Sequence, residues 1–209
     1  MNKNKKIKFK DDDLFQFLSF FYQQKTIKDL KKKNILEIGI GNKFLTNYLK
    51  SNDFQITTCD LDQNLNPDYV ADIRKLPFEN NSFDLVVAFE VLEHLPFTDF
   101  EIALQEMRKT SREYVVISLP YSSIFFSLTA IFPLIRTIFK KRYFNFFLKI
   151  PQFFRSNKYD GEHFWEMGRR ETPKSKIRKI LKKYYKIEKE FQPFLNFYHY
   201  FFVLKINKK

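Results

Sequence analysis

The chain has 209 residues, enough for one domain with a continuous core and too few for a second full domain. Its single cysteine, Cys59, excludes an intrachain disulfide framework, and its longest apolar run, 124–135, contains Pro133 and stops at Arg136, short of the about 20 residues a transmembrane helix needs. The formal charge of +13 comes with abundant Lys, Asn, Ile, Phe and Tyr and only 4 Gly, a bias of composition as much as a basic surface, so it selects neither nucleic acid nor an anionic membrane by itself. Charge is distributed unevenly: acids outnumber bases between Asp53 and Asp99, and basic clusters flank that centre. No apolar segment follows the basic first ten residues closely enough to read as a signal peptide, so a cytoplasmic protein is expected.

Residues 11–30 open with three aspartates and then place Leu14, Phe15, Leu18 and Phe21 at helical spacing, which predicts a lid or packing helix ahead of the first strand. The apolar stretch Asn34–Ile38 breaks at Gly39 and Gly41 and restarts with Phe44, Leu45, Tyr48 and Leu49 as a helical stripe. A strand, a tight turn and a helix opening let a nucleotide-like ligand approach bare backbone, because neither glycine carries a Cβ. The dinucleotide fingerprint requires a further glycine where Phe44 stands, which disfavours a nicotinamide-type pyrophosphate site. A second strand over 54–59 ends at Asp60, about 20 residues after the glycines, where an acid is expected to take both ribose hydroxyls. Asn64, Asn66 and Pro67 break up residues 61–70, so the crossover there is expected to be a loop. Residues 85–89 are an uninterrupted apolar strand of the kind buried on both faces of a parallel sheet. Glu90-Val91-Leu92-Glu93-His94-Leu95 then falls at its C-terminal end, where open α/β sheets place ligands.

Glu37-x-Gly39-x-Gly41 resembles motif I of the class I S-adenosylmethionine-dependent methyltransferases. The phrases Asp72-Ile73-Arg74-Lys75-Leu76-Pro77-Phe78, Asn81-Ser82-Phe83-Asp84 and Glu90-Val91-Leu92-Glu93-His94-Leu95 follow in order, and together they look like the run shared by methyltransferases of type 11. The resemblance covers about residues 34–119. It implies a Rossmann-like seven-stranded α/β sheet, mostly parallel with an antiparallel last strand, helices on both faces, and S-adenosyl-L-methionine as cofactor. It also implies that Asp60 holds the ribose, that Asp72 meets the adenine amino group, that Ile73 packs on the adenine and that Glu37 lies near the methionine end. Leu61, Phe89 and Glu90 complete the expected cofactor set with Gly39 and Gly41. Lys43 departs from the family pattern by occupying the place of a frequent third glycine.

After a helix over 100–109 and a fifth strand over 114–119, the family order predicts a helix over 173–183, with Thr172 as N-cap and Pro173 at the first helical position. Two last strands are expected over 186–191 and 197–206. Between strand five and that helix lies an insertion, 121–170, far longer than the usual connection of roughly 4–6 residues. Ile124, Leu128, Ile131, Ile135 and Ile138 alternate spacings of four and three, with Phe125, Phe132 and Phe139 beside them, which predicts a helical insertion with one apolar face. Arg136, Lys140, Lys141 and Arg142 fall at its C-terminal end. Two readings fit: a cap or lid folded over the single domain, or an interfacial helix giving 121–155 a peripheral contact at the inner membrane face.

Methyl transfer is an in-line displacement at an activated sulfonium carbon, so the protein mainly aligns the acceptor and excludes water. No metal is required, and one cysteine with three scattered histidines makes no structural zinc pattern, so no metal ligands are expected. A hydroxyl acceptor still benefits from a base, for which His94 and His163 are the candidates. Each also has a plain structural role open to it, His94 in bonding the loop and His163 in packing on Trp165. Tyr121, His163 and Trp165 are expected on the acceptor side, and His199 is assigned to the terminal hairpin. The leading reading is a methyltransferase acting on a small-molecule, lipid-like or sugar-like acceptor. An RNA methyltransferase is the alternative within enzymes, since basic flanks and aromatics suit phosphates and stacked bases. The Asn-or-Asp-Pro-Pro-aromatic tetrapeptide of amino-methylating enzymes is missing after strand four, and nucleic acid is not expected as a partner. A non-catalytic cofactor-binding module of the same fold is the reading from another class.

Overall fold

The computed structural model describes residues 14–130 and 144–207. In chain order these form α1 (Leu14–Leu30), β1 (Asn34–Ile38), α2 (Phe44–Lys50), β2 (Gln55–Asp60), β3 (Tyr69–Val70), β4 (Phe83–Phe89), α3 (Phe100–Thr110), β5 (Ser111–Pro120), β6 (Ser123–Ala130), β7 (Phe144–Pro151), α4 (Lys174–Tyr184), β8 (Tyr185–Phe191) and β9 (His199–Ile206). Seven strands make one sheet in the order β3-β2-β1-β4-β5-β9-β8. Pairing is parallel from β3 to β5, and β9 runs antiparallel to both β5 and β8. The expected seven-stranded, mostly parallel sheet with an antiparallel last strand is therefore present.

Alternation along the strands divides the core into two layers. Leu36, Val86, Val115 and Ile117 face α3 and α4 through Phe100, Leu104, Ile177 and Leu181. Ile35, Leu85, Val87 and Val116 face the other way, against Ile27 of α1 and Leu45 and Leu49 of α2. Glu37 continues this second face of β1, which is why a carboxylate ends beneath α2 with its Oε2 accepting from Thr46 Oγ1 at 2.7 Å. Strand order reverses between β1 and β4, and such a switch point opens a crevice beyond the carboxyl ends of the strands.

Three expectations are corrected. Helix α1 turns its aromatic positions outward, with Phe15, Phe17 and Phe21 more than half exposed while Ser19, Gln23, Thr26 and Ile27 are buried. The inward face lines a crevice with Ser19 and Gln23, where the usual apolar choice is overridden. Thr172 does not cap α4: Pro173 is the N-cap residue, and the Thr172 hydroxyl donates instead to the Glu166 carbonyl at 2.6 Å. The helical insertion is replaced, in its described part, by a β-hairpin in which β6 and β7 pair antiparallel over Ser123↔Pro151 to Ala130↔Phe144. An almost continuous apolar run fits helix and strand templates alike, and the Ile, Phe and Thr content of 123–130 favours the pleated form. Residues 131–143, with Ile131, Ile135, Ile138 and the four cations, lie outside the described residues. Residues 152–172 return from the hairpin to the sheet edge, where the Ser122 N–H donates to the Met167 carbonyl and the Met167 N–H to the Pro120 carbonyl, at 2.8 and 2.9 Å.

Candidate active site

The turn after β1 holds both glycines at positive φ, +76° for Gly39 and +47° for Gly41, but for different reasons. A Cβ at Gly39 would lie 2.3 Å from Val91 Cγ2, so the missing side chain there makes room for the β4 loop rather than for a ligand. At Gly41 a Cβ would meet nothing within 4 Å and would point into open space. Lys43, the departure from the family pattern, also adopts a left-handed conformation with φ 62°, and its ammonium donates to the Asn66 carbonyl at 3.1 Å.

Two compartments meet at Gly39, Gly41, Phe89 and Glu90. The wider, about 370 Å³, is lined by Asp60, Leu61, Asp72, Ile73, His94 and Leu95 among others. The narrower, about 180 Å³, lies under α1, where Ser19, Phe20 and Gln23 close over Glu37, Leu45 and His199. The strand ends thus bring together every residue expected to meet the cofactor: Glu37, Gly39, Gly41, Asp60, Leu61, Asp72, Ile73, Phe89 and Glu90.

Asp60 closes the floor by accepting the Ile40 N–H on Oδ2 at 2.8 Å and the Asp62 N–H on Oδ1 at 2.9 Å. Each oxygen keeps acceptor capacity for a further donor. Asp72 is gripped by the Arg74 guanidinium at 2.5 to 3.0 Å, and this hydrogen-bonded pairing holds its carboxyl below the usual range. Arg74 also bridges to Asp99 at 2.6 Å, tying the loop after β3 to the start of α3. Glu37 behaves oppositely: burial pushes its carboxyl up to about 7, against the lowering effect of Thr46.

Glu90 sits where the compartments join, in a left-handed conformation with φ 53°. Its Oε2 is 3.5 Å from His199 Nε2, and the other ring nitrogen of His199 is 2.8 Å from Ser19 Oγ. His199, assigned from the sequence to the hairpin alone, therefore faces the narrower compartment. Only the pairing of Pro120 with His199 across the antiparallel strands puts it there, and no local pattern announces that.

His94 and His163 come within 5.0 Å, ring centre to ring centre. His94 lines the wider compartment, and its Nδ1 donates to the Glu162 carbonyl at 2.9 Å. His163 has Nδ1 3.4 Å from the Tyr198 hydroxyl and 3.8 Å from Glu166 Oε1, and the Glu166 contact raises its pKa. Burial alone would raise Glu166, but His163, Tyr198 and Arg169 outweigh it and hold that carboxyl below its ordinary value. Trp165 and Tyr121 do not line either compartment. Trp165 is buried between Phe97 and Phe100, with its indole N–H donating to the Leu95 carbonyl at 3.1 Å. Tyr121 packs edge-on to Tyr200 under the Lys149 ammonium, and burial raises its phenol. Ile124 and Leu128 are exposed and line neither compartment, so the described part of the hairpin does not form the expected cover over Gly39 and Glu90; Ile131 and Ile135 lie outside the described residues.

A family model described as a methyltransferase domain matches residues 36–113. The fold is similar to that of magnesium protoporphyrin IX methyltransferase from Synechocystis PCC 6803 with bound SAH, at 15% identity and a TM-score of 0.56 over 92% of this chain and 83% of that one. It is similar to 1,6-didemethyltoxoflavin-N1-methyltransferase from Burkholderia thailandensis, at 11% identity and a TM-score of 0.61 over 94% and 82% of the two chains. The N-methyltransferase NodS from Bradyrhizobium japonicum WM9 gives 15% identity and a TM-score of 0.58 over 95% and 90%. No curated protein sequence matches the chain.

Proposed function

We propose that this chain, whose residues 36–113 form a methyltransferase domain on the fold of S-adenosylmethionine-dependent methyltransferases, moves the methyl group of that cofactor to a small acceptor. The observation that carries this reading is the two-part groove, with carboxylates at one end for a nucleoside and an acidic, roofed compartment at the other. Asp60 takes the ribose hydroxyls with the acceptor capacity its two backbone bonds leave over. Asp72 meets the adenine amino group, and Ile73 and Leu61 pack on the ring. Ser19, Gln23 and Glu37 beneath α1 would hold the methionine end, and the Glu37 carboxyl would give up its proton to face the ammonium. The bound cofactor would supply a methyl group activated on a sulfonium, its bonding pair staying with sulfur, and an acceptor hydroxyl or amine that takes the methyl would release its proton. His199, held between Ser19 and Glu90 beside the junction of the compartments, would serve as the base.

Calorimetry with S-adenosylmethionine tests the cofactor half. Replacing Asp60 with Ala removes charge-assisted hydrogen bonds worth about 1.5–3 kcal/mol each, and affinity is expected to fall at least tenfold. Unchanged affinity in that variant would sink the assignment.

A lipid-linked acceptor is favoured by one specific feature. Ile124, Phe126 and Leu128 of β6 lie opposite Ile150, Leu148 and Phe146 of β7, and all six side chains are exposed on one apolar face. Such contiguous patches mark sites of contact with proteins or membranes. The sequence joining the two strands carries Arg136, Lys140, Lys141 and Arg142, each worth about 1 kcal/mol near anionic head groups. The parent chain is expected to co-sediment with anionic vesicles, and the variant with these four changed to Glu is not. Failure of the parent to bind would remove the membrane contact and leave a soluble acceptor.

A further inference from the structure

We propose that Glu93, His94 and His163 form a divalent-cation site of the two-histidine, one-carboxylate kind at the rim of the groove. One donor atom from each lies within 4.8 Å of the other two. The three arrive by separate routes. Glu93 and His94 belong to the short 3-10 turn Leu92–His94 after β4, whereas His163 comes from the segment returning from the hairpin. The Phe164 N–H donates to the Glu93 carbonyl at 2.9 Å, which ties the two segments together beside the donors themselves.

Glu93 is the residue that asks for a ligand. It is 0% exposed, and among the described residues no donor side chain meets its carboxylate: the group beside it is the Glu90 carboxylate, with which it can share only a single proton. A buried carboxyl left in this way is costly unless something neutralises it. Glu90 adds to the demand, because its Oε1 is also buried without a donor side chain. Among the described residues the ion pair that Glu90 makes is with His199, and Glu93 makes none.

The histidines are prepared as ligands. The Glu162 carbonyl can only accept, so the His94 Nδ1 bonded to it carries the proton and Nε2 presents its lone pair. A backbone carbonyl on the far ring nitrogen is the usual way a metal-bound histidine is oriented. His163 has Tyr198 and Glu166 on its Nδ1 side, which likewise leaves Nε2 for an ion. Imidazole and carboxylate together suit Zn²⁺, Mn²⁺ or Fe²⁺ better than the all-oxygen preference of Mg²⁺ or Ca²⁺. Bonds of about 2.0–2.1 Å hold donors roughly 3–3.4 Å apart, so the ion draws the three inward by side-chain rotation. Of the three, His94 also lines the wider compartment. The site stands whether or not the chain transfers methyl groups.

Isothermal titration of the full, tag-free chain after chelator treatment, with Zn²⁺ and separately with Mn²⁺, tests the site. The parent is expected to take up a single ion per chain with a rise in thermal midpoint. His163→Ala and Glu93→Gln should each weaken uptake at least tenfold, and Glu166→Gln, which touches His163 and not the ion, should weaken it less than Glu93→Gln does. Calorimetry with S-adenosylhomocysteine, or the unfolding profile where no cofactor binds, checks that His163→Ala is folded. No saturable uptake by the parent, or parental uptake by folded His163→Ala, would overturn the proposal. Loss in Glu166→Gln with uptake retained in Glu93→Gln would overturn it too, by moving the ion to the Asp160, His163 and Glu166 side.

Discussion

The central strands and the β6–β7 hairpin are similarly apolar, yet they meet water very differently. Ile35, Leu36, Leu85, Val86 and Val116 are all 0% exposed, whereas Phe126, Leu128, Phe146 and Leu148 are each more than half exposed. Both faces of a parallel sheet are covered by the helices that connect its strands. A hairpin brings no such cover. One face of this one is anchored where Phe125 and Phe147 pack on Phe197, with ring centres 4.6 and 4.5 Å apart, and the other face is open. Apolar composition therefore reports what a segment is able to bury, and connectivity decides whether it does. Two-stranded ribbons are marginal in water by themselves, so the hairpin depends on its neighbours while the central sheet does not depend on the hairpin.

Substitutions at matched positions break this comparison most sharply. Leu85→Ala leaves a cavity between β4 and the α1–α2 layer and is expected to cost about 2–5 kcal/mol in urea unfolding. A cost comparable with that of an exposed leucine would refute the two-face burial of β4.

The next effect probes a carboxylate buried beneath α1 and α2. Glu37 is 3% exposed and its folded pKa is about 7, against an ordinary value of 4.5. Between these values the unfolded chain binds fewer protons than the folded one, so this group's contribution to stability falls as pH rises from about 4.5 to 7. At about 1.4 kcal/mol per unit, the loss is about 3 kcal/mol for the ligand-free protein. Thermal midpoints measured across that range should decline less steeply in Glu37→Gln than in the parent. Identical slopes would remove the raised carboxyl.

A smaller effect tests the turn that opens the groove. Lys43 holds φ at 62°, where a side chain costs roughly 1–2 kcal/mol and glycine costs little. Lys43→Gly is expected to gain about 1 kcal/mol by calorimetric unfolding, less whatever the contact with the Asn66 carbonyl supplies. A clear loss would show that the lysine contact outweighs the strain. The smallest effect belongs to the hairpin: Leu128→Ser is expected within about 0.5 kcal/mol of the parent, as for exposed positions in general. A loss of several kcal/mol would mean that the apolar face is covered in solution.

Much of the wider compartment's lining was legible because its signals are local. The glycine turn, the acid ending β2 and the apolar run of β4 lie within short stretches, and parallel-sheet geometry carries each to the same edge. The insertion was less legible, since Ser123–Ala130 is apolar at nearly every position and gives no period to choose by. Helix α1 misled for the opposite reason. Its phenylalanines have helical spacing, but the crevice required Ser19 and Gln23 on the inward face.

Outside the insertion, the residues themselves determined the order of strands and helices, the turn at Gly39 and Gly41, and the placing of Asp60 and Asp72 near strand ends, because hydrophobic period and backbone freedom act over a few neighbouring positions. Tertiary structure alone decided where His163 and His199 meet the acids. His94 follows Glu93 directly, whereas His163 and His199 are far from Glu90 and Glu93 in the chain and reach them only through pairing and docking between distant segments. Contacts of that range depend on how β9 lies against β5 and how 152–172 returns to the sheet edge, and such packing leaves no period in the sequence.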